Sequence, residues 1–182
     1  MTRVVGERVT LRAFREDEFE RVLKAAQAAP VGDGIHWGPR DPEPIRQKIE
    51  ASGTWHEGWI EFAIEADGRV VGEIQARSIR RAMPQGVFEL GVEIYDQADR
   101  RRGLGAEAVK EITAYLFRDE AATRVQVSTD VENAGMRAVA ERLGFTFEGI
   151  QRGFMPSSGG PRDYAMYGVT RADHEQQATR TG

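Results

Sequence analysis

Arg100-Arg101-Arg102-Gly103-Leu104-Gly105-Ala106 is the stretch that most restricts what this chain can fold into, because a strand pattern ends just before it and a helix pattern starts within it. Upstream, Phe88-Glu89-Leu90-Gly91-Val92-Glu93-Ile94 alternates larger apolar residues with carboxylates and glycine, the period of a half-buried strand. Downstream, Leu104, Ala108, Ile112, Tyr115 and Leu116 recur at helical spacing over about four turns. A strand that turns through two glycines onto a helix aims several backbone N–H groups at one spot, where the helix dipole adds partial positive charge. Gly103 and Gly105 carry no Cβ, so a ligand can approach the main chain closely, and Arg100, Arg101 and Arg102 surround the turn with fixed charge. That is the chemistry of a phosphate site. Taken alone, a Gly-x-Gly turn reads more commonly as a tight surface turn beside a solvated arginine run. A dinucleotide fingerprint tolerates Ala108 in place of its third glycine, but it belongs to the first strand and helix of a domain, and here about ninety residues with several strand patterns come first. A Walker A loop needs a Gly-Lys-Ser/Thr ending, which this chain lacks.

Length and charge bound the rest. A chain of 182 residues suits one domain, since at this size folding buries roughly 70% of the surface the unfolded chain exposes. The domain is expected to span residues 1–172, with a polar, disordered tail over 173–182. A formal net charge of -4 argues against nucleic acid as a partner. Cysteine is absent, which excludes a disulfide framework, a thiolate metal cage and a cysteine nucleophile. His36, His56 and His174 lack metal-ligand spacing, so no metal is expected. No run approaches the ~20 apolar residues of a membrane span, and Met1 to Glu7 lack an apolar leader core; the expected location is the cytoplasm, away from any membrane.

In chain order, residues 8–12 alternate as a short strand, and Arg15 to Glu18 place acid at the start of a helix carrying Phe19, Val22, Leu23 and Ala26, ending near Pro30. A loop from Val31 to Pro44 holds His36 and Trp37, and a second helix follows from about Glu43 to Ser52. Trp59 to Ile64 and Val70 to Gln75 flank an Asp67-Gly68 hairpin turn, and a looser turn around Pro84-Gln85-Gly86 leads into the strand described first. Arg124 to Ser128 form another strand. Asn133 to Leu143 form a helix with Met136, Val139, Ala140 and Leu143 on one face, closed by Gly144 as a left-handed cap. Phe145 to Gly149 and Asp163 to Val169 complete the strands.

Arg100-x-x-Gly103-x-Gly105, followed by Asn133 and then by Arg142-Leu143-Gly144-Phe145, resembles the GCN5-related N-acetyltransferase (GNAT) superfamily. Val9 to Arg12, Glu89-Leu90-Gly91, Gly105 to Ala108 and Arg162-Asp163-Tyr164 are most similar to its RimJ/RimL-type branch, and the likeness covers roughly residues 7 to 172. The resemblance implies an α+β fold of α/β/α layers, with a central mixed, mostly antiparallel sheet of six to seven strands and helices on both faces. It implies acetyl-CoA as co-substrate, with the pyrophosphate on the backbone of Arg101, Arg102, Gly103, Leu104, Gly105 and Ala106 beside Arg100. The pantetheine arm would pair with Glu93, Ile94 and Tyr95, and Asn133 would reach the cofactor arm; an ordinary helix N-cap is the plainer role for that asparagine.

The implied reaction is direct attack of an amine on the thioester, with Glu89 accepting its proton. On an alternating strand Glu89 shares a face with Glu93, and neighbouring carboxylates raise one another's pKa; a structural glutamate is the competing reading. Met136 and Ala140 stand where relatives carry a proton-donating serine or tyrosine, so the general acid is unassigned, with Tyr164 and Tyr167 as substitutes that read equally as core residues. Three functions follow: an N-acetyltransferase of protein amino termini, an acetyltransferase of a small cationic amine such as an aminoglycoside, polyamine or amino acid, or a non-catalytic CoA-binding module. A homodimer is compatible with each.

Overall fold

A computed structural model describes residues 1–28, 40–78 and 84–181. Among them, eight strands form one sheet: β1 (Val4–Val5), β2 (Thr10–Arg12), β3 (Trp59–Ala66), β4 (Arg69–Arg77), β5 (Val87–Ile94), β6 (Arg124–Asp130), β7 (Thr146–Met155) and β8 (Arg162–Thr170). The helices are α1 (Phe19–Ala28), α2 (Pro42–Ala51), α3 (Leu104–Asp119), α4 (Ala134–Arg142) and α5 (Arg171–Thr181). Strand order is β1-β2-β3-β4-β5-β6-β8-β7. Every neighbouring pair is antiparallel except β5 with β6, which are joined through α3.

Alternation along the strands sends side chains to two cores. One face carries Phe62, Ile74, Leu90 and Val127 under α3, whose Leu104, Ala108, Ile112 and Leu116 are all at most 3% exposed. Burying each of the three larger side chains stabilises the fold by roughly 2 kcal/mol. The opposite face packs Ala63 and Val70 against Phe19, Val22 and Ala26 of α1 and Ile45 and Ile49 of α2. Between α1 and the sheet, Arg12 reaches both Glu18 at 2.5 Å and Glu65 at 2.7 Å, tying β2 and β3 to the start of the helix.

The sequence expectations and the fold differ in a few places. The sheet has eight strands rather than six or seven, because Val4–Val5 adds an edge strand too short to show a period. The strand expected over 8–12 is confined to Thr10–Arg12. On α4 only Ala140 is fully buried, while Met136, Val139 and Leu143 pack at the core's margin. Residues 171–181 are a helix, not a disordered tail. Thr170 and Asp173 cap it reciprocally, with Thr170 Oγ1 donating to Asp173 Oδ2 at 2.6 Å, and Arg171 anchors it by donating to the carbonyls of Phe117 and Ala122 at 2.8 and 2.7 Å. The end of the first helix at Pro30, the loop carrying His36 and Trp37, and the first residues of the turn before β5 lie outside the described residues.

Candidate active site

The parallel pair at the centre of the sheet is short. Val87, Phe88 and Glu89 of β5 pair with Arg124, Val125 and Gln126 of β6; from Leu90 onward β5 has no strand on that side, and β6 continues paired with β8 alone. A fork therefore opens in the middle of the sheet, and Glu89 stands at its apex. Its carboxylate accepts hydrogen bonds from Gln126 Nε2 at 3.0 Å and Ser128 Oγ at 3.3 Å, both on the opposite wall, and is ion-paired with Arg77 of β4. Three donors from two strands fix the carboxylate where the strands part. Arg77, Gln126 and Ser128 were not foreseen from sequence, because they meet Glu89 through register rather than proximity along the chain.

Past the open end of β5 lies the arginine turn. Arg101 (φ +62°) and Gly103 (φ +81°) both adopt the left-handed conformation, and Gly103 is the N-cap of α3. A Cβ on Gly103 would sit 3.0 Å from Arg8 Nη2, whereas one on Gly105 would meet Ile94 at an ordinary contact distance of 3.4 Å, so α3 lies against the tip of β5 there. The three arginines differ in their engagements. Arg100 donates through Nε to the carbonyl of Ile94 at 3.2 Å. Arg102 spans Asp99 and Asp67, both at 2.9 Å, while Asp99 also receives a bidentate bond from Arg69 at 2.7 and 2.8 Å. The Arg69 hydrogen bond, helped by Arg102, holds the Asp99 carboxyl below the usual aspartate range. Arg101 is exposed and makes no ion pair among the described residues.

Beside this turn is a cavity of about 440 Å³ lined by Arg8, Arg101, Arg102, Lys110 and Arg142, which outnumber the carboxylates there. One of those carboxylates, Glu107 in the first turn of α3, is neutralised. Burial opposes its charge, but bonds from the backbone N–H groups of Arg8 (2.6 Å) and Val9 (3.2 Å) and from Arg8 Nε (2.8 Å) hold it below the usual glutamate value. With Glu107 silenced, the helix N-terminus faces solvent as an electropositive concavity.

The face of β5 turned toward α1 and α2 carries a second cluster that sequence spacing did not reveal. Glu93 stands opposite Glu73 in the β4–β5 register, and the Tyr95 hydroxyl donates to Glu73 Oε2 at 2.6 Å. Lys48 of α2, only 8% exposed, donates to Glu73 Oε1 at 2.6 Å and lies 3.9 Å from Glu61. Burial works against the Lys48 charge, yet Glu73 and Glu61 outweigh it and hold the ammonium above the ordinary lysine value. Burial, reinforced by Glu73, pushes the Tyr95 hydroxyl well above the tyrosine range. Burial also raises Glu61 to about 6, against the pull of Lys48. Glu93 thus belongs to this cluster rather than acting with Glu89, although both lie on one face of β5.

Asn133 is the N-cap of α4, its Oδ1 accepting from the Met136 N–H at 3.1 Å. Tyr167 is a core residue, 0% exposed, its hydroxyl donating to Glu141 at 3.0 Å and accepting from Arg137 Nε at 3.2 Å. Tyr164 is 3% exposed, with its ring tilted 48° against that of Phe154. His174 stacks on Phe117 with 4.7 Å between ring centroids. Among the described residues no three His, Asp or Glu side chains group as metal ligands, and no helix is long and apolar enough to cross a membrane.

A sheet forked at its only parallel junction, with a glycine-capped helix beneath the opening, is the architecture of acyl-CoA N-acyltransferases. Residues 8–146 match the model of the Acetyltransferase (GNAT) domain, and the chain belongs to that family of N-acetyltransferases. The SPbeta prophage-derived uncharacterized N-acetyltransferase YokL of Bacillus subtilis (strain 168) is 24% identical over 177 residues, covering 93% of this chain and 94% of YokL. Similar folds include RimL, a ribosomal alpha-N-protein acetyltransferase in complex with coenzyme A (TM-score 0.78, 16% identity, 93% of this chain and 98% of that one). Mycobacterium smegmatis RimJ in complex with a CoA disulfide is likewise similar (TM-score 0.75, 18% identity, 94% and 88% covered).

Proposed function

We propose that this protein transfers the acetyl group of acetyl-CoA directly to a primary amine, the α-amino group of a protein chain, in the cytoplasm. The observation that carries the reading is the fork: on its β6 side β5 has no strand partner after Glu89, and this open edge runs from Glu89 toward the Gly103 cap of α3. In this reading the pyrophosphate rests on the N–H groups from Arg101 to Ala106, with Arg100 alongside, and the pantetheine arm runs along Glu93, Ile94 and Tyr95 as a surrogate strand. The left-handed Arg101 and Gly103 and the cationic cavity beside them suit such an anion. Asn133 then orients the cofactor arm from the start of α4.

Glu89 takes a proton from the incoming ammonium. The neutral amine nitrogen attacks the thioester carbon, the carbon–sulfur bond breaks, and the amide and CoA thiolate result. No side chain is assigned to protonate the thiolate, since Ala140 is buried, Tyr167 is committed to Glu141 and Arg137, and Tyr164 lies in the core; water completes the thiol. The carboxylates of Glu61, Glu73 and Glu93 on the sheet face turned toward α2 favour a second reading, a small cationic amine as acceptor.

Thiol release from acetyl-CoA, measured with amino-terminal peptides, polyamines and aminoglycosides, tests both readings. Glu89→Gln is expected to lower kcat/KM at least ~100-fold, the scale of a lost general base. An unchanged rate in that variant would remove Glu89 from the mechanism. Acetyl-CoA binding without turnover on any acceptor would leave a non-catalytic CoA-binding module.

A further inference from the structure

A second cavity, of about 300 Å³, opens between α2 and β3, away from the arginine turn. Its walls include Lys48 of α2, His56 and Glu57 of the following turn, and Trp59 and Glu61 of β3. Among the described residues no donor hydrogen-bonds the Glu61 carboxylate. Its nearest cation, Lys48, stands 3.9 Å away and gives its short bond to Glu73 at 2.6 Å instead. Glu57 supplies another carboxylate to the same cavity, held in a two-residue turn at φ +48° between the paired His56 and Trp59. Trp59 offers an aromatic wall; Arg77 already lies over its ring, 5.5 Å from the centroid. The cavity therefore presents two carboxylates and an indole against one ammonium engaged elsewhere. That combination favours an organic cation over an anion or an apolar group.

Its position relative to the fork follows from the register. Glu61 pairs with Gln75, and Gln75 pairs with Gly91; the adjacent row is Trp59, Arg77 and Glu89. Two strand spacings thus separate Glu61 from Gly91, on the order of 10 Å. Both lie on the sheet face turned toward α2.

We propose that the cavity between α2 and β3 binds a second cationic group of the acceptor, an ammonium or guanidinium held by Glu61 and Glu57 two strand spacings, on the order of 10 Å, from the forked strand β5. The proposal rests on the amine-acceptor reading above and narrows it to acceptors with at least two positive charges. A lysine or arginine next to the amino-terminal residue of a peptide supplies this, and so does a polyamine.

Two matched pairs distinguish the sources: the peptides Ala-Lys-Ala and Ala-Ala-Ala, and spermidine against n-butylamine. With wild-type protein, kcat/KM for the member carrying the additional cationic groups should exceed that for its partner by at least about 10-fold in one pair, which identifies the source. In Glu61→Gln that preference should fall about 10-fold, the scale of one charge-assisted contact. Equal preference in wild type and variant, or none in wild type, overturns the proposal. Calorimetric binding of Ala-Lys-Ala and of spermidine is read in parallel. If no acceptor turns over, the acetyl-transfer reading falls, whereas the cavity proposal still stands or falls on whether one of these ligands binds and does so about 10-fold more weakly to Glu61→Gln.

Discussion

Replacing Glu61 by glutamine should make the protein more stable at neutral pH, and by an amount that the surroundings of this side chain set. Burial raises the Glu61 carboxyl from an ordinary 4.5 to about 6, with nearby Glu73 adding to the effect and Lys48 opposing it. The folded state therefore holds the proton more tightly than the unfolded chain does. Below pH 4.5 both states are protonated and this stabilisation is fully present; as pH rises through about 6 it is lost, because the folded protein must then carry a poorly solvated charge. A shift of this size corresponds to about 2 kcal/mol. Glutamine is isosteric and neutral throughout, so the stability difference between variant and wild type should grow in the variant's favour by about 2 kcal/mol between pH 4 and pH 7. Urea unfolding of both proteins at the two pH values measures it, since the titrations of groups away from Glu61 are common to both and cancel. A difference that stays flat, or that shrinks toward pH 7, would refute the reasoning.

Lys48→Met should destabilise the fold by about 3 kcal/mol in the same unfolding assay, because it strands the Glu73 carboxylate in a site whose Lys48 is 6% and Glu73 16% exposed; an effect below 1 kcal/mol, the level of a surface pair, would mean that the cluster is well solvated. Gly103→Ala should cost about 1–2 kcal/mol in stability, since φ is +81° there and the new methyl meets Arg8, and should raise the calorimetric Kd for acetyl-CoA. Asp99→Asn, which releases Arg69 and Arg102, should also weaken acetyl-CoA binding, with the loss resembling that of wild type at acid pH, where Asp99 gains a proton.

Much of this fold is written in local signals. The alternation of Phe88 to Ile94, the helical stripe from Leu104 to Leu116 and the glycines at 68, 103 and 144 each record a backbone demand that near neighbours satisfy. The reciprocal cap of Thr170 and Asp173 was equally legible as Thr-x-x-Asp, yet the polar residues that follow masked it. What the sequence does not carry is register. The ion pair of Arg77 with Glu89, and the row Glu61, Gln75 and Gly91, exist because three strands align at one offset among several. Likewise, Lys48 reads as one polar residue on an amphipathic helix until α2 is laid over Glu73. Glu89 and the arginine turn stand out in the sequence because motif and strand period coincide there; the acid-lined cavity does not, because its members come from separate elements.

The fork has a mechanical side as well. Among the described residues only three register pairs of strand join β1 to β5 with β6 to β8; beyond them the two halves meet through the turn bonds to the Gly86 carbonyl, the bonds of Gln126 and Ser128 to Glu89, and side-chain packing beneath α3. A molecule lying along the open end of β5 would act as a removable rung between two half-sheets, and part of its binding energy would appear as cohesion of the fold. At a hundred times its Kd such a ligand adds about 2.7 kcal/mol to the work of unfolding. The thermal endurance of this protein would then rise and fall with the supply of its acyl donor, making resistance to heat or protease a gauge of that pool.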